Sequence, residues 1–247
     1  MSEQDRKGSL NIAGRRHFHV RAGDVWLARA SVVAVVALQL LIINQRFLIG
    51  PRWLVPTIEA LLLIPLSFVT AWTQRSARDA ETDQHWSEVE QRHRWVRRLA
   101  LVLTAVVSLT NFGSLIALIG ELTSGKIEIG GQSLLVDAIN IWGTNVIAFG
   151  LWFWSIDRGG PASRGLTAIE KCDFLFPQMT MDGATRPAGW SPGFIDYLYL
   201  SFTNATAFSP TDTMPLSRRA KLLMMLESTV SLLTIALVAA RAVNILA

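Results

Sequence analysis

Apolar residues in this chain gather into long blocks separated by charged stretches. Neither the two-residue alternation of a half-buried strand nor the amphipathic stripe of a surface helix describes them. Trp53–Trp72, Leu99–Ile119, Leu134–Trp154 and Leu222–Ile245 each have the length needed to cross roughly 30 Å of hydrocarbon at about 1.5 Å per residue. A fifth block, Ala28–Ile49, carries Gln39, Asn44, Gln45 and Arg46 in its second half, which puts those groups at the interface or in a polar interior. The pattern predicts an all-α integral membrane protein with about five transmembrane helices.

The order of blocks divides the chain. Residues 1–27 form a basic tail, and residues 28–156 carry four spans in two hairpins, the first turning at Gly50-Pro51. A charged linker, 75–98, joins the hairpins; Glu88 and Glu90 stand four residues before Arg92 and Arg94, the favourable order for helical ion pairs. A loop, 157–192, leads to residues 193–247, which read as a short helix, a polar turn and the last span. Gly113 with Gly120, and Gly143 with Gly150, are spaced seven apart on one face of their helices, as close helix packing requires.

Within the last unit, Ser191-Pro192 suits a helix start, a hydroxyl cap followed by proline at the first helical position. The aromatic-rich stretch Phe194–Phe208 then gives a helix of about 22 Å, too short to cross a bilayer and long enough to enter it halfway. Ser209-Pro210-Thr211-Asp212-Thr213-Met214-Pro215 cannot continue that helix, and Ser217 is placed to cap the next one. A half-helix, a polar turn and a full span describe a re-entrant loop, whose irregular backbone is tolerated only against protein or water.

The run Ser201-Phe202-Thr203-Asn204-Ala205-Thr206-Ala207-Phe208-Ser209-Pro210-Thr211-Asp212-Thr213-Met214-Pro215 resembles, without gaps, the pore helix and filter of potassium channels. Ser201, Phe202, Thr206, Asp212 and Pro215 match that pattern, and Leu226-Glu227 with Ala240-Arg241 look like the inner helix of two-helix bacterial pores. Most of the chain, including Asp173-Phe174-Leu175-Phe176-Pro177, is similar to a family of uncharacterised bacterial membrane proteins with four leading spans and a degenerate form of this loop. The resemblance implies a homotetrameric pore in the bacterial inner membrane. Its filter would be Thr206, Ala207, Phe208, Ser209, Pro210, Thr211 and Asp212, with Arg218, Arg219 and Glu227 at the pore mouth or on the inner helix. Ser209 and Thr211 stand where potassium filters have glycine, and Pro210 fixes the backbone between them. Stacked-carbonyl coordination of bare potassium is therefore not expected; hydroxyls and the Asp212 carboxylate would face hydrated ions.

Charge sets the expected orientation. Nineteen of the 23 Lys and Arg residues precede or open the first span, lie between the second and third spans, or lie between the fourth and fifth, and only Arg46, Arg52, Lys126 and Arg241 lie elsewhere. The positive-inside rule then puts the N-terminus in the cytoplasm and the C-terminus outside, opposite to the orientation the potassium-channel resemblance implies. No cleavable leader is visible in the polar, basic first 25 residues, so the first span is expected to act as a signal anchor. The net charge of +4 records this orientation and not a nucleic acid partner. The expected partners are the lipid bilayer, inorganic ions and further copies of the chain.

Candidate chemistry adds little beyond the loop. Glu59, Asn111, Asp137, Asn140, Asn145 and Glu227 are polar groups inside apolar blocks, functional candidates by position. Helix-to-helix hydrogen bonding accounts for each of them except Glu227, which faces either a pore or a neighbouring helix. Cys172 is the single cysteine, and His17, His19, His85 and His93 lack metal-ligand spacing. Asn204-Ala205-Thr206 fits a glycosylation acceptor but falls on the short helix, and most of the nine tryptophans fall near span ends as interfacial anchors. No nucleophile, base and orienter occur together, so neither an enzyme nor a cofactor is expected. Asp212 favours cations, whereas Arg218, Arg219 and Lys221 could ring an anion path. Other readings are a secondary transporter, with midplane polar groups and broken helices, and a non-conducting scaffold that keeps a pore-loop fold.

Overall fold

The computed structural model describes residues 22–42, 57, 83–124, 131–160, 172–181, 190–206 and 212–246. The expected span Trp53–Trp72, apart from Thr57, lies outside the described residues, as do the Gly50-Pro51 turn, Glu59 and filter positions Ala207–Thr211. The helices are α1 (Ala22–Ile42), α2 (Asp83–Ser124), α3 (Gly131–Ile156), the short α4 (Pro177–Thr180), α5 (Phe194–Thr206) and α6 (Arg218–Leu246). Two two-residue strands, β1 (Phe174–Leu175) and β2 (Met214–Pro215), complete the order. Of the first predicted span, the part from Ala28 to Ile42 is helical within α1.

Among the described residues, three helical stretches are long and apolar enough to cross a membrane: Arg97–Gly120, Leu135–Gly159 and Arg218–Ala240. They coincide with three of the apolar blocks. The charged linker and the third block form one uninterrupted helix, since α2 runs for 42 residues, roughly 63 Å at 1.5 Å per residue. No proline or glycine interrupts it between Asp83 and Phe112, so nothing in the backbone forces a break where polar sequence gives way to apolar.

Helix α3 is the hub, with α1, α2, α5 and α6 all packed on it. Its membrane-length stretch is 56% buried, whereas that of α6 is only 22% buried. The main core joins Val25, Val32 and Val35 of α1, Leu103 and Val107 of α2, Phe149 and Phe153 of α3, and Tyr197 and Leu200 of α5. A smaller cluster at the other end unites Leu115, Leu118, Ala138, Ile141 and Val230. Trp152 Nε1 donates to Ser108 Oγ at 3.0 Å, tying α3 to α2.

Helix α3 ends in a left-handed turn: Arg158, Gly159 and Gly160 have φ of 50°, 82° and 93°. The two glycines take that conformation without steric cost, and Gly160 N–H closes the turn on the Asp157 carbonyl at 2.9 Å. Helix α5 starts at Phe194, three residues after the serine that suits a cap. Its start is stabilised instead by carboxylates: Asp196 accepts from Gly193 N–H at 2.7 Å, and Asp24 of α1 accepts from Phe194 N–H at 3.3 Å. Negative charge is favourable there. Ser217 does cap α6, accepting from Ala220 N–H at 3.2 Å.

Candidate functional site

Both ends of the segment from α5 to β2 lie beside the C-terminal end of α3. The Phe194 ring stands edge-on to Trp154 at 5.5 Å between centroids. At the far end of α5, Phe202 meets Trp142 at 5.7 Å, and Thr206 lines an apolar groove of about 390 Å³ with Leu135, Ala138 and Ile139. The thirteen residues of α5 therefore run antiparallel to α3 for about 20 Å. By Met214 the chain is back where α5 began, because β2 pairs antiparallel with β1 in the register Phe174↔Pro215 and Leu175↔Met214. Phe174 itself packs on Phe153 of α3 at 5.1 Å.

A polar network fixes that return point. Asp157, at the end of α3 and without solvent exposure, accepts hydrogen bonds from Asp173 N–H at 2.7 Å, Phe174 N–H at 3.4 Å and Tyr197 O–H at 2.5 Å. One carboxylate thus joins α3, β1 and α5. Asp173 in turn accepts two bonds from Arg219, Nε and Nη2 each at 2.6 Å, the bidentate geometry that favours Arg over Lys. Leu216 N–H donates to the Asp173 carbonyl at 2.8 Å. The loop before α5, the chain after the turn and the first turn of α6 are consequently one unit.

Cys172 is buried beside this network. Burial, and after it the negative charge of Asp157, pushes its thiol above the ordinary range. The thiolate is the reactive form, so alkylation of the native protein by a soluble maleimide at neutral pH should be slow. It should become rapid only on unfolding, read as mass added per chain against time.

Deeper along α6, Glu227 is fully buried between α3 and α5. Ser201 Oγ lies in hydrogen-bond contact with Glu227 Oε1, and Asn204 Nδ2 donates to Oε2 at 2.6 Å and to the Met224 carbonyl at 3.0 Å. Ser201 Oγ also donates to the Val146 carbonyl of α3 at 2.7 Å. From α3, Asn145 Nδ2 donates to the Glu227 carbonyl at 3.1 Å and to Ser231 Oγ at 2.9 Å. Three helices are thereby tied at one level through side chains that sequence reasoning treated separately.

The predicted site residues divide accordingly. Thr206 ends α5, its hydroxyl donating back to the Thr203 carbonyl at 3.0 Å. Asp212 is exposed just before β2, and Arg218 is exposed at the start of α6. Arg219 is committed to Asp173, so the ring of arginines considered from the sequence loses one free positive charge. Glu227 turns towards helices of its own chain. Asn145, grouped with the helix-bonding polar residues, does bond between helices; Asn111 and Asn140 are buried as well. Asp157, Tyr197, Ser201 and Asn204 carry the architecture without having been singled out for it. The clue was available for Asn204, a polar residue on an apolar helix, but it lay inside a glycosylation-like triplet.

No protein-family model, curated protein or solved structure matches the chain.

Proposed function

We propose that the chain is a five-span bacterial inner-membrane protein whose segment from Phe194 to Pro215 is a re-entrant pore loop, assembled as a homotetramer that passes ions. The observation that carries this reading is the course of α5 and β2: the chain enters beside Trp154, reaches the level of Trp142, and is back beside Phe174 by Pro215. A half-length helix followed by a return to the same end suits a pore loop and not a span. The sparse burial of α6 agrees with it, since a pore-lining helix meets its partners only in the assembled ring. Leu222, Met225, Leu226, Leu232 and Leu233 are all exposed along α6.

Pairing of Arg219 with Asp173 leaves exposed Asp212 as the acidic group nearest the turn and favours cations as the permeant species. The basic clusters support a loop on the cytoplasmic side, with the C-terminus outside; a reporter fused at Ala247 and active only in the cytoplasm would reverse that orientation.

Single-channel recording of the purified protein in planar bilayers, under asymmetric potassium, sodium and chloride, tests the reading. Discrete currents are expected, with a reversal potential that moves in Asp212→Asn and a conductance altered by joint replacement of Ser209, Pro210 and Thr211. Silence under every gradient and voltage would favour the scaffold, in which the same loop is closed packing.

A further inference from the structure

We propose that Glu227 is a proton-binding site that latches the loop helix α5 to the last helix α6, and that in the packed state its carboxyl group is the neutral acid. Proton counting around Ser201 leads there. Its hydroxyl has one proton and stands against two oxygens, the Val146 carbonyl at 2.7 Å and Glu227 Oε1. A carbonyl can only accept. If Ser201 serves Val146, the contact with Glu227 is a hydrogen bond only when the carboxyl supplies the proton, giving the chain Glu227 O–H to Ser201 O–H to Val146 C=O. The other carboxyl oxygen already accepts from Asn204, and the second Asn204 amide proton is used on Met224. Both Asn145 amide protons go to the Glu227 carbonyl and Ser231. The acid therefore has a partner for its proton and one for each oxygen, whereas an ionised carboxylate would leave two acceptors competing for one hydroxyl proton.

The surrounding charges agree. Helix α3 has no Lys, Arg or His, and its single acid, Asp137, lies eight residues from Asn145. On α5 the titratable groups are Asp196, Tyr197 and Tyr199; Asp196 caps Gly193, Tyr197 bonds Asp157, and Tyr199 is exposed. Between Leu99 and Gly120, α2 carries no charge. On α6 itself the charges are Arg218 and Lys221, both exposed, and Arg219, paired with Asp173, six to nine residues before Glu227, and Arg241, fourteen residues after it. Among the described residues no cation faces the carboxyl from any packed helix, and an unpaired buried carboxylate at membrane depth is strongly disfavoured. Loss of the proton would set the carboxylate and the Val146 carbonyl competing for the one Ser201 hydroxyl proton, weakening the tie of α5 to α6. The inference rests on helix contacts alone and stands whether or not ions pass.

The test is infrared spectroscopy on the full chain, carbon-13-labelled at glutamate, in phosphatidylcholine nanodiscs across a pH series, with thermal unfolding followed in parallel. A carbonyl band of a protonated carboxylic acid is expected at neutral pH, absent in Glu227→Gln and lost as pH rises. Gln reproduces the neutral acid, donating to Ser201 and accepting from Asn204. Because the proton belongs to the folded state, wild-type melting temperature should fall as pH passes through this titration, while that of E227Q stays flat. Absence of the band at neutral pH, or identical pH profiles for the two proteins, would overturn the proposal. Should E227Q fail to fold, Ser201→Ala decides on the same band: a displaced band supports the shared proton, and an unmoved one rejects it.

Discussion

Asp157→Ala should cost roughly 3–6 kcal/mol of stability, the largest loss expected from any single substitution at the junction between α3, α5 and the strands. The substitution removes the acceptor of three donors at once, the amides of Asp173 and Phe174 and the hydroxyl of Tyr197, and with it the buried ion pair to Arg158 Nε at 3.5 Å. Each buried donor left without an acceptor costs about 1–3 kcal/mol, and the space between Phe174 and Tyr197 is walled by rings, which limits repair by water. Tyr197→Phe removes one donor together with its need for a partner and should cost only about 1 kcal/mol. Asp157→Asn is intermediate, because its amide oxygen still accepts from the backbone while its amide nitrogen takes the place of the oxygen that faces Tyr197 O–H and Arg158 Nε. Thermal unfolding in detergent micelles gives the order, and hydrogen exchange gives the place. Amides of Phe174 and Met214 should exchange faster in D157A, while those around Glu227 keep their protection. Equal melting temperatures for D157A and Y197F would show that Asp157 does not organise the junction.

Much of the helical layout was legible because it depends on one-dimensional properties. A block of apolar residues long enough to cross a bilayer has few other ways to satisfy its backbone, so Leu99–Ile119, Leu134–Trp154 and Leu222–Ile245 each appear as part of a helix. Ser217 was legible as a cap because the bond it makes is local. The start of α5 was not, because half of its cap comes from Asp24, 170 residues earlier in the chain. For the same reason Asp157 gave no signal and Asp173 stood out only within the Asp173–Pro177 stretch: their partners are Tyr197 and Arg219, and no spacing rule connects them. Glu227 stood out by composition alone, but the direction it faces depends on Ser201 and Asn204 arriving from another helix. Polar residues inside apolar blocks thus announce that a partner exists, and only the packed fold says which.

Gly150→Leu should separate α5 from α3 and lower the melting temperature more than any other glycine replacement on α3, a loss of about 3 kcal/mol or more. A Cβ at Gly150 would already lie 3.2 Å from the Leu198 Cα and 3.3 Å from its Cδ1, so the first added carbon meets backbone that cannot rotate away. Ala at this position needs a shift of a few tenths of an ångström, offset by about 1 kcal/mol of helix propensity, and should be close to neutral. Leu needs a displacement of the whole α5 helix. Two hydrogen bonds from α5 flank this contact, Ser201 to Val146 on one side and Tyr197 to Asp157 on the other, so that displacement stretches both together. Gly143 shares the same helix and the same seven-residue repeat, yet a Cβ there meets nothing within 4 Å; Gly143→Ala should leave stability unchanged or raise it by up to about 1 kcal/mol. The repeat alone treats the two glycines as equivalent, whereas close approach of α5 makes only Gly150 intolerant of a large side chain. Equal melting temperatures for Gly150→Leu and Gly143→Leu would remove that distinction and with it the tight seating of α5 on α3. If Gly150→Leu instead melts early and also abolishes the protonated Glu227 band, the seating of α5 on one face and its latch to α6 on the other are coupled through the same rigid half-helix.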